Sequence, residues 1–444
     1  MVFTAAYSFG QSGASPLFQD IKVVSAQPGP TSTPLVAKTG SSAPVGVRPV
    51  SSNPVIAEVA IPGYTGMLVE TLDGSRIAES NSMLTFNPAS NVKVATAYAV
   101  LKTFGPEFRF PTYVFTDGTF DRTSGVLNGN LYIQGRDPIF GFDHAVDIAN
   151  ELNRVGIHSV SGDLVVTDDF TINYSGSAQH SAEVLLDTMD PARRSPVANR
   201  VWLTYLANSG RSSKVTGVPG VTFTGKAYAQ PIPSSLHLLF THESAQIREI
   251  IKATLCYSNN FLAEKLGDML GGPYAVAKLV QQGAAVSPAE FSIQTSSGLG
   301  YNRVTPNAMM KLLRTLRNDL TRYHMTFADI MPVAGIDKGT LENRFDADFA
   351  MGSVVGKTGT MANTDAGVSA LSGEINTKNG RVLFVIFNNR GGVSRFRSFQ
   401  NSFVSLIQNQ FGGASRLNYT PIPLDARLAQ TRISYPADSP LGND

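Results

Sequence analysis

The chain has 444 residues, 42% of them hydrophobic, so its length allows two or three domains with substantial cores. Its 36 basic and 34 acidic residues give a formal net charge of +2, which excludes the strong positive field of a nucleic-acid-binding protein. A single cysteine, Cys256, excludes an intramolecular disulfide and any multi-cysteine metal site, and we expect neither a metal nor another cofactor. No apolar run of eighteen residues predicts a transmembrane helix, and the first residues lack the basic start of a signal peptide.

Residues 1–55 are rich in Ser, Pro, Gly and Thr and have no sustained periodicity, which predicts an extended arm or linker. Residues 66–72 and 75–79 then flank Asp73-Gly74 and are predicted to form a β-hairpin. The hairpin leads to a predicted helix that begins near Asn87 and ends at Gly105. Its central residues are apolar nearly all the way round, so we expect this helix to be buried.

Ser90 and Lys93 lie one turn apart on the same face of that helix. A serine hydroxyl becomes an effective nucleophile when a base takes its proton, and a neutral lysine amine one turn away can be this base. Burial and a second nearby cation would both favour the neutral amine. A capped helix whose lysine reaches solvent explains the same residues without catalysis, so the pair by itself leaves both interpretations open.

After Pro111 the chain changes to short strand-like runs separated by turns, with one predicted helix at 142–154. The sequence stays rich in turn-forming residues to about residue 235. We therefore predict that residues 111–235 are an inserted domain rich in β-strand, which interrupts a first domain made of 56–110 and 236–415.

Helical periodicity returns at Ser244 and is broken at Ser258-Asn259-Asn260. Further on, the pattern predicts three strands and then an amphipathic helix that covers their sheet, at residues 354–360, 366–371, 382–387 and 396–411. The tail, residues 416–444, shows no regular period.

Three short motifs occur in order: Ser90-x-x-Lys93, Ser258-Asn259-Asn260 and Lys357-Thr358-Gly359. Lys38-Thr39-Gly40 and Ser51-Ser52-Asn53 match two of these patterns, but both precede Ser90 in linker-like sequence. The ordered set resembles that of the penicillin-recognising serine peptidases and β-lactamases. Within them, residues 64–411 are similar to the D-alanyl-D-alanine carboxypeptidase/endopeptidase family, the low-molecular-mass class C penicillin-binding proteins.

The resemblance implies an α/β (α+β) fold with an antiparallel sheet of the β-lactamase/transpeptidase type flanked by helices. It implies that Ser90 is the acylated nucleophile, Lys93 its base and Ser258 the relay of the proton to the leaving amine. Asn260 would hold the substrate amide, and Lys357 would add positive potential. Thr358 and Thr360, on either side of Gly359, would bind the terminal carboxylate, and the backbone N–H groups of Ser90 and Thr360 would form the oxyanion hole.

The chain departs from the family pattern in one loop and in the insert. Thr295-Ser296-Ser297-Gly298 stands where Asp-Gly-Ser-Gly is expected, and the insert is shorter than in the largest relatives. Asp168 or Asp169 could meet a substrate amine, although a turn after a strand explains that pair at least as well. Outside the motifs, we interpret Arg303 and Arg344 as structural ion-pair partners and Cys256 as a packed side chain.

The resemblance therefore implies a periplasmic or extracytoplasmic serine DD-peptidase. Its substrates would be D-Ala-D-Ala stem peptides and cross-links of peptidoglycan, and β-lactam antibiotics would be covalent inhibitors. A β-lactamase or esterase on the same fold is the alternative, but no Glu-x-x-Leu-Asn pattern of a class A β-lactamase lies between Asn260 and Lys357. A non-catalytic envelope scaffold is disfavoured, because a binding protein needs no paired serine and lysine. The balance of the two peptidase activities and the oligomeric state stay open.

Overall fold

A computed structural model describes residues 48–49, 62–211, 215 and 217–437 of the chain. The helices of this part are α1 Val92–Phe104, α2 Phe142–Arg154, α3 Ala178–Met189, α4 Pro196–Ser209, α5 Ile247–Cys256, α6 Asn260–Asp268, α7 Pro273–Gly283, α8 Pro306–Arg322, α9 Val393–Gln410 and α10 Leu424–Leu428. The strands are β1 Arg48–Pro49, β2 Tyr64–Thr71, β3 Arg76–Ser80, β4 Pro111–Thr116, β5 Thr119–Asp121, β6 Val126–Asn128, β7 Leu131–Gly135, β8 Ser159–Val160, β9 Leu164–Val166, β10 Thr222–Phe223, β11 Ala227–Ala229, β12 His237–Glu243, β13 Phe291–Ser292, β14 Arg303–Val304, β15 Val354–Met361, β16 Val368–Thr377, β17 Gly380–Asn389 and β18 Arg432–Ser434.

The larger part of the molecule is built on a six-stranded sheet with the order β1-β3-β2-β17-β16-β15, in which all neighbours are antiparallel. Residues 382–389 of β17 are buried, because the side chains on its two faces enter two different hydrophobic cores. α9 covers one face with Phe403, Val404 and Ile407, and α1 and α8 cover the other. The predicted antiparallel sheet flanked by helices is confirmed.

α1 runs through the core of this part and is buried from Val92 to Leu101, as its apolar sequence predicts. The helix begins later than predicted, because a short 3-10 turn, Ala89–Asn91, comes before it and carries Ser90. Asn87 does not cap α1 itself. Its Oδ1 instead accepts a hydrogen bond from the Ala89 N–H at 3.0 Å and so fixes the entry into the 3-10 turn.

Two smaller sheets have the orders β11-β9-β7-β4-β12-β18 and β10-β8-β6-β5, and all their strands except β18 lie between α1 and α5 in the sequence. α2 and α3 pack on them through apolar residues such as Ile148, Leu152 and Leu185. α2 has the predicted bounds. The stretch from Ala178 to Ser209 differs from the sequence analysis, which describes it only as turn-rich, because it forms α3 and α4.

The chain enters and leaves this insert at one place. Pro111 at the start of β4 is paired with Glu243 at the end of β12. The Ser244 N–H donates to the Phe110 carbonyl at 3.0 Å, and the Phe110 N–H donates to Ser244 Oγ at 2.9 Å. The sheet of the insert thus continues to residue 243, beyond the end at 235 that the sequence analysis gives. The division into domains stays a prediction.

The tail contributes regular structure although its sequence shows no period. β18 pairs with β12 and so extends the sheet of the insert, while Arg427 in α10 donates to Glu249 Oε2 of α5 at 2.7 Å. At the other end, Arg48–Pro49 pairs with β3, and the rest of the predicted arm, with its two decoy motifs, lies outside the described residues. Within the described residues, no helix has both the length and the apolar character needed to cross a bilayer.

Candidate active site

Ser90 lies on a tight turn that its neighbours hold from both sides. Ala89 has a φ of 46°, an uncommon conformation for a residue with a side chain. A Cβ on Gly298 would lie 2.0 Å from the Ala89 carbonyl oxygen, and a Cβ on Gly359 would lie 2.5 Å from that of Pro88. Because only glycine fits at these two positions, the loop at 298 and the strand at 359 can both contact the turn, and Ser90 stays half-buried between them.

Lys93 is 1% exposed and directs its amine at Ser90. Its Nζ lies 3.0 Å from Ser90 Oγ, 2.7 Å from Asn260 Oδ1 and 2.7 Å from the Ser297 carbonyl oxygen. A neutral amine has two N–H donors and one lone pair. In this neutral form, an amine that directs its two N–H groups at Asn260 and Ser297 would turn its lone pair to the Ser90 hydroxyl, which is the arrangement that a base needs.

Ser258 and Asn260 lie at the break between α5 and α6, as the sequence predicts. Ser258 has a φ of 55°, which turns the chain sharply, and Asn259 Oδ1 accepts the Leu262 N–H at 3.0 Å and caps α6. The break therefore places Ser258 and Asn260 at the site while the residue between them serves the helix. The Asn260 side chain contacts Lys93, a contact that the sequence analysis does not assign to it.

Lys357 is fully buried on β15, the edge strand of the large sheet. Its Nζ donates to Ser258 Oγ at 2.9 Å and to the Thr358 carbonyl oxygen at 2.8 Å. Asn91, next to the nucleophile, donates from Nδ2 to the Lys357 carbonyl at 3.0 Å and accepts a hydrogen bond from Ser372 Oγ. The three motifs, far apart in sequence, thus form one connected polar network.

Thr358, Gly359 and Thr360 complete this edge of the site. Thr358 and Gly359 are buried, whereas Thr360 is exposed beyond the end of the buried run. Arg397 of α9 donates from Nη2 to Thr360 Oγ1 at 3.0 Å. Consecutive side chains of a strand point to opposite faces, so Lys357 reaches Ser258 while Thr358 and Thr360 lie on the face that α9 covers.

Glu264 is a residue of the site that the sequence analysis missed. Its two carboxylate oxygens accept the N–H groups of Ser296 and Ser297, each at 3.0 Å, so the carboxylate holds the loop whose Ser297 carbonyl contacts Lys93. The resemblance predicts an aspartate within this loop, whereas here Glu264 of α6 supplies a carboxylate to the loop. Glu264 lies four residues after Asn260, hence on the same helix face, and this spacing was the available signal.

Thr295 replaces the expected aspartate at the start of that loop and closes it by hydrogen bonds. Its Oγ1 accepts the Gly298 N–H at 3.0 Å and donates to the Leu299 carbonyl at 2.8 Å. Thr96 of α1 donates to the Ser296 carbonyl at 2.6 Å. The loop is therefore fixed without a carboxylate of its own.

The other residues named from the sequence have structural partners. Arg303 is ion-paired with Asp365 at 2.9 Å, and Asp365 also accepts from Asn87 Nδ2 at 2.7 Å, which connects the pair to the nucleophile turn. Cys256 is buried, and burial raises the pKa of its thiol to about 12, so it is a packed side chain as predicted. Asp168 and Asp169 are exposed at the turn after β9, where Asp169 pairs with Arg136.

The ion-pair interpretation of Arg344 is wrong. Its guanidinium donates to Asn401 Oδ1 at 2.6 Å and to Gln400 Oε1 at 3.2 Å, both neutral amides. No carboxylate lies within 4.0 Å of it in the part of the chain that the structure describes.

Comparison with known proteins identifies the family of the chain. The model of the D-Ala-D-Ala carboxypeptidase 3 (S13) family matches residues 55–185 and 194–410. The chain is 27% identical to a D-alanyl-D-alanine carboxypeptidase of Actinomadura sp. (strain R39), with 73% of this chain and 77% of the relative covered. It is 25% identical to the carboxypeptidase DacB of Mycolicibacterium smegmatis, with 83% and 86% covered.

Among solved structures, the chain is similar to the predatory endopeptidase Bd3459 of Bdellovibrio bacteriovorus, with a TM-score of 0.70, 22% identity, and 84% of this chain and 100% of that chain covered. That endopeptidase has also been solved acylated by penicillin G. The family match confirms the predicted class of enzyme, a serine-type D-Ala-D-Ala carboxypeptidase/endopeptidase of the penicillin-binding kind. The chain belongs to the D-Ala-D-Ala carboxypeptidase 3 (S13) family.

Proposed function

We propose that Ser90 is the nucleophile with which this chain cleaves the peptide bond between two D-alanine residues. The observation that carries the proposal is the 3.0 Å contact between Ser90 Oγ and Lys93 Nζ, with Asn260 and Ser297 as acceptors for the other donors of the amine. Neutral Lys93 takes the hydroxyl proton as Oγ attacks the carbonyl carbon. The backbone N–H groups of Ser90 and Thr360 stabilise the oxyanion, and removing one such donor typically costs about 3 kcal/mol.

Ser258 and Lys357 serve the second half of acylation. As the C–N bond breaks, the leaving amine needs a proton, and the Ser258 hydroxyl can transfer one while the cationic Lys357 lies 2.9 Å from its oxygen. Water then hydrolyses the ester on Ser90 and regenerates the free hydroxyl. Asn260 binds the amide of the substrate in addition to Lys93, and Thr358, Gly359 and Thr360 line the place of the terminal carboxylate.

Carboxypeptidase action on D-Ala-D-Ala stem peptides and endopeptidase action on peptidoglycan cross-links use the same acylation step. In both reactions the acyl group is a D-alanyl residue, and only the leaving amine differs. β-Lactams acylate the same serine and block it. Since peptidoglycan lies outside the cytoplasmic membrane, we place the enzyme in the periplasm or another extracytoplasmic compartment.

Intact-mass spectrometry after incubation with benzylpenicillin tests the proposal. We expect wild type to gain the mass of one penicillin molecule and peptide mapping to place it on Ser90. Ser90→Ala should fold normally and gain no mass, whereas the control Ser124→Ala, at an exposed serine of the insert, should react like wild type. A penicillin adduct on Ser90→Ala would contradict the assignment of the nucleophile.

A further inference from the structure

A cavity of about 360 Å³ lies beside the Lys-Thr-Gly strand, between β15, α9 and the loop before β15. Thr340, Arg344, Thr358, Arg397 and Asn401 line it, and we call it the arginine cavity. None of its described lining residues is acidic. Its wall therefore carries two positive charges and otherwise neutral polar groups.

The two guanidinium groups have no counter-charge within the described residues. Arg344 is held by the amides of Gln400 and Asn401, and Arg397 by the hydroxyl of Thr360, but neither lies within 4.0 Å of an Asp or Glu carboxylate there. Burial and, to a smaller extent, the charge of Arg397 together lower the pKa of Arg344 to about 10. Two cations so close together are mutually destabilising, and a bound anion would remove that cost.

The arginine cavity borders the candidate active site. Thr358, which follows Lys357 in the motif, lines it, and Arg397 contacts Thr360 at 3.0 Å. The bond from Arg397 occupies one lone pair of the Thr360 oxygen, which leaves the hydroxyl hydrogen available for an acceptor. An anion next to Thr358 and Thr360 would therefore meet hydroxyl donors on one side and guanidinium groups on the other.

We propose that the arginine cavity binds the free carboxylate of the leaving group, with Arg397 and Arg344 as the residues that make the enzyme selective for an anionic leaving group. This inference rests on the proposed function and extends it, since that function assigns the carboxylate to the threonines alone. Free D-alanine and the D-centre of a cross-linking diamino acid both carry such a carboxylate next to the leaving amine. The cavity therefore favours leaving groups with a free carboxylate over those in which the carboxylate is esterified or amidated.

The test compares two activated thioesters of an N-acylated D-alanine, one whose thiol leaving group carries a free carboxylate and one that carries the methyl ester instead. Arg397→Gln is the variant, because this side chain is exposed and its loss should leave the fold intact. Arg395→Gln, at an exposed arginine of the same helix, removes the same charge outside the cavity and is the control. The readout is the second-order rate of acylation of Ser90, followed by mass and by thiol release.

We expect Arg397→Gln to slow acylation by the carboxylate thioester roughly tenfold or more, and to change the methyl ester rate by less than about twofold. Arg397→Lys should recover part of the loss, and Arg395→Gln should change neither rate. Equal loss with both thioesters, or no loss with either, would overturn the inference and leave the proposed function standing. A wild-type protein that neither thioester acylates would overturn the proposed function itself.

Discussion

The two lysines of the site differ in their partners, and this difference predicts how acylation depends on pH. Lys93 contacts the nucleophile, whereas Lys357 contacts Ser258 and belongs to the same polar network. A cation in that network disfavours the protonated form of Lys93, because like charges repel. Removing the charge of Lys357 should therefore make Lys93 harder to deprotonate.

Lys357→Gln is expected to move the pH of half-maximal acylation upward, in addition to slowing the reaction. The measurement is the acylation rate with a chromogenic β-lactam from pH 5 to pH 10 in wild type and variant. Because the two lysines interact, the midpoint belongs to the pair rather than to one residue. An unchanged or lowered midpoint in the variant would contradict the coupling, and a wild-type rate independent of pH would contradict lysine as the base.

Glu264 offers a second test, because it acts on Lys93 only through the Ser297 loop. Glu264→Gln keeps the size of the side chain but replaces one acceptor oxygen by an NH₂ group, which faces the N–H of Ser296 or Ser297. We expect acylation to slow by about tenfold and its pH profile to shift, because the Ser297 carbonyl no longer holds the Lys93 amine in place. Glu290→Gln, whose partners lie outside the site, is the control. A slower variant with an unchanged pH profile would show that Glu264 stabilises the fold only.

At the scale of single residues, sequence reasoning finds pairs that are close in the chain and misses those that folding brings together. The spacing of Ser90 and Lys93 predicts their contact, because a helix repeats every 3.6 residues. The contact of Lys93 with the Ser297 carbonyl has no such local signal, since any residue can supply a backbone carbonyl. Arg344 was misinterpreted for a similar reason, because its amide partners lie on α9, far along the chain.

At the scale of elements, the loop at Gly298 decides where the nucleophile turn lies. Gly298 has a φ of 88°, and a Cβ there would overlap Ala89, whereas Gly300 in the same loop has a φ of 78° and a Cβ there would make only an ordinary contact, 3.5 Å from Gln294 Oε1. Alanine at either position should cost about 1–2 kcal/mol in the free energy of unfolding, because both conformations are left-handed. Only Gly298→Ala should also displace the turn.

We therefore expect Gly298→Ala to lose most penicillin acylation and some additional stability, because its Cβ overlaps the Ala89 backbone, and Gly300→Ala to keep acylation. Thermal unfolding and the acylation rate, measured on both variants, separate the two effects. Comparable acylation by the two variants would mean that the loop does not position Ser90.

The elements with a clear apolar period were predicted well, and those with a weak one were not. The structure places five strands and helices close to their predicted positions, namely α2, β15–β17 and α9. Each of them buries at least one face in a hydrophobic core, which gives its sequence a clear apolar pattern. α4 buries Ala198, Val201, Trp202 and Tyr205 at helical spacing, but the exposed apolar residues Val197 and Leu203 obscure this period. Ser195, Pro196 and Gly210 nevertheless mark its two ends. Attention to caps as well as to periodicity would have found it.

At the scale of the whole molecule, the paired ends of the insert predict that it can be removed. The six-stranded sheet uses no strand from residues 111–243, and the chain on both sides meets at Phe110 and Ser244. Replacing residues 111–243 by a short Gly/Ser linker should preserve slow acylation of Ser90 by small β-lactams and impair cleavage of peptides. Loss of the adduct in a variant that is still folded would mean that the insert builds the catalytic centre.

A second linker variant tests where the insert ends. Replacing only residues 111–235 leaves β12 without β4, its neighbour in the sheet, and exposes the buried Phe240. We expect this variant to be less stable and more prone to aggregation than the longer replacement, as measured by thermal unfolding and light scattering. Equal behaviour of the two would support the boundary at 235. An end at residue 243 could not be predicted from the sequence, because the pairing of β4 with β12 joins segments more than a hundred residues apart.

The strand order of the large sheet also sets the sequence of events in folding. β2 pairs with β17, so the large sheet cannot be completed until residue 389 has been synthesised. Contacts between segments this far apart in sequence form slowly. The strands from β4 to β12 lie within one continuous stretch and need only β18 from beyond it. During synthesis the insert can therefore fold early, while β2 still lacks β17, its partner on the side away from β3. We therefore expect the nascent chain to be most exposed to proteolysis and aggregation in its catalytic half, until β17 has been made.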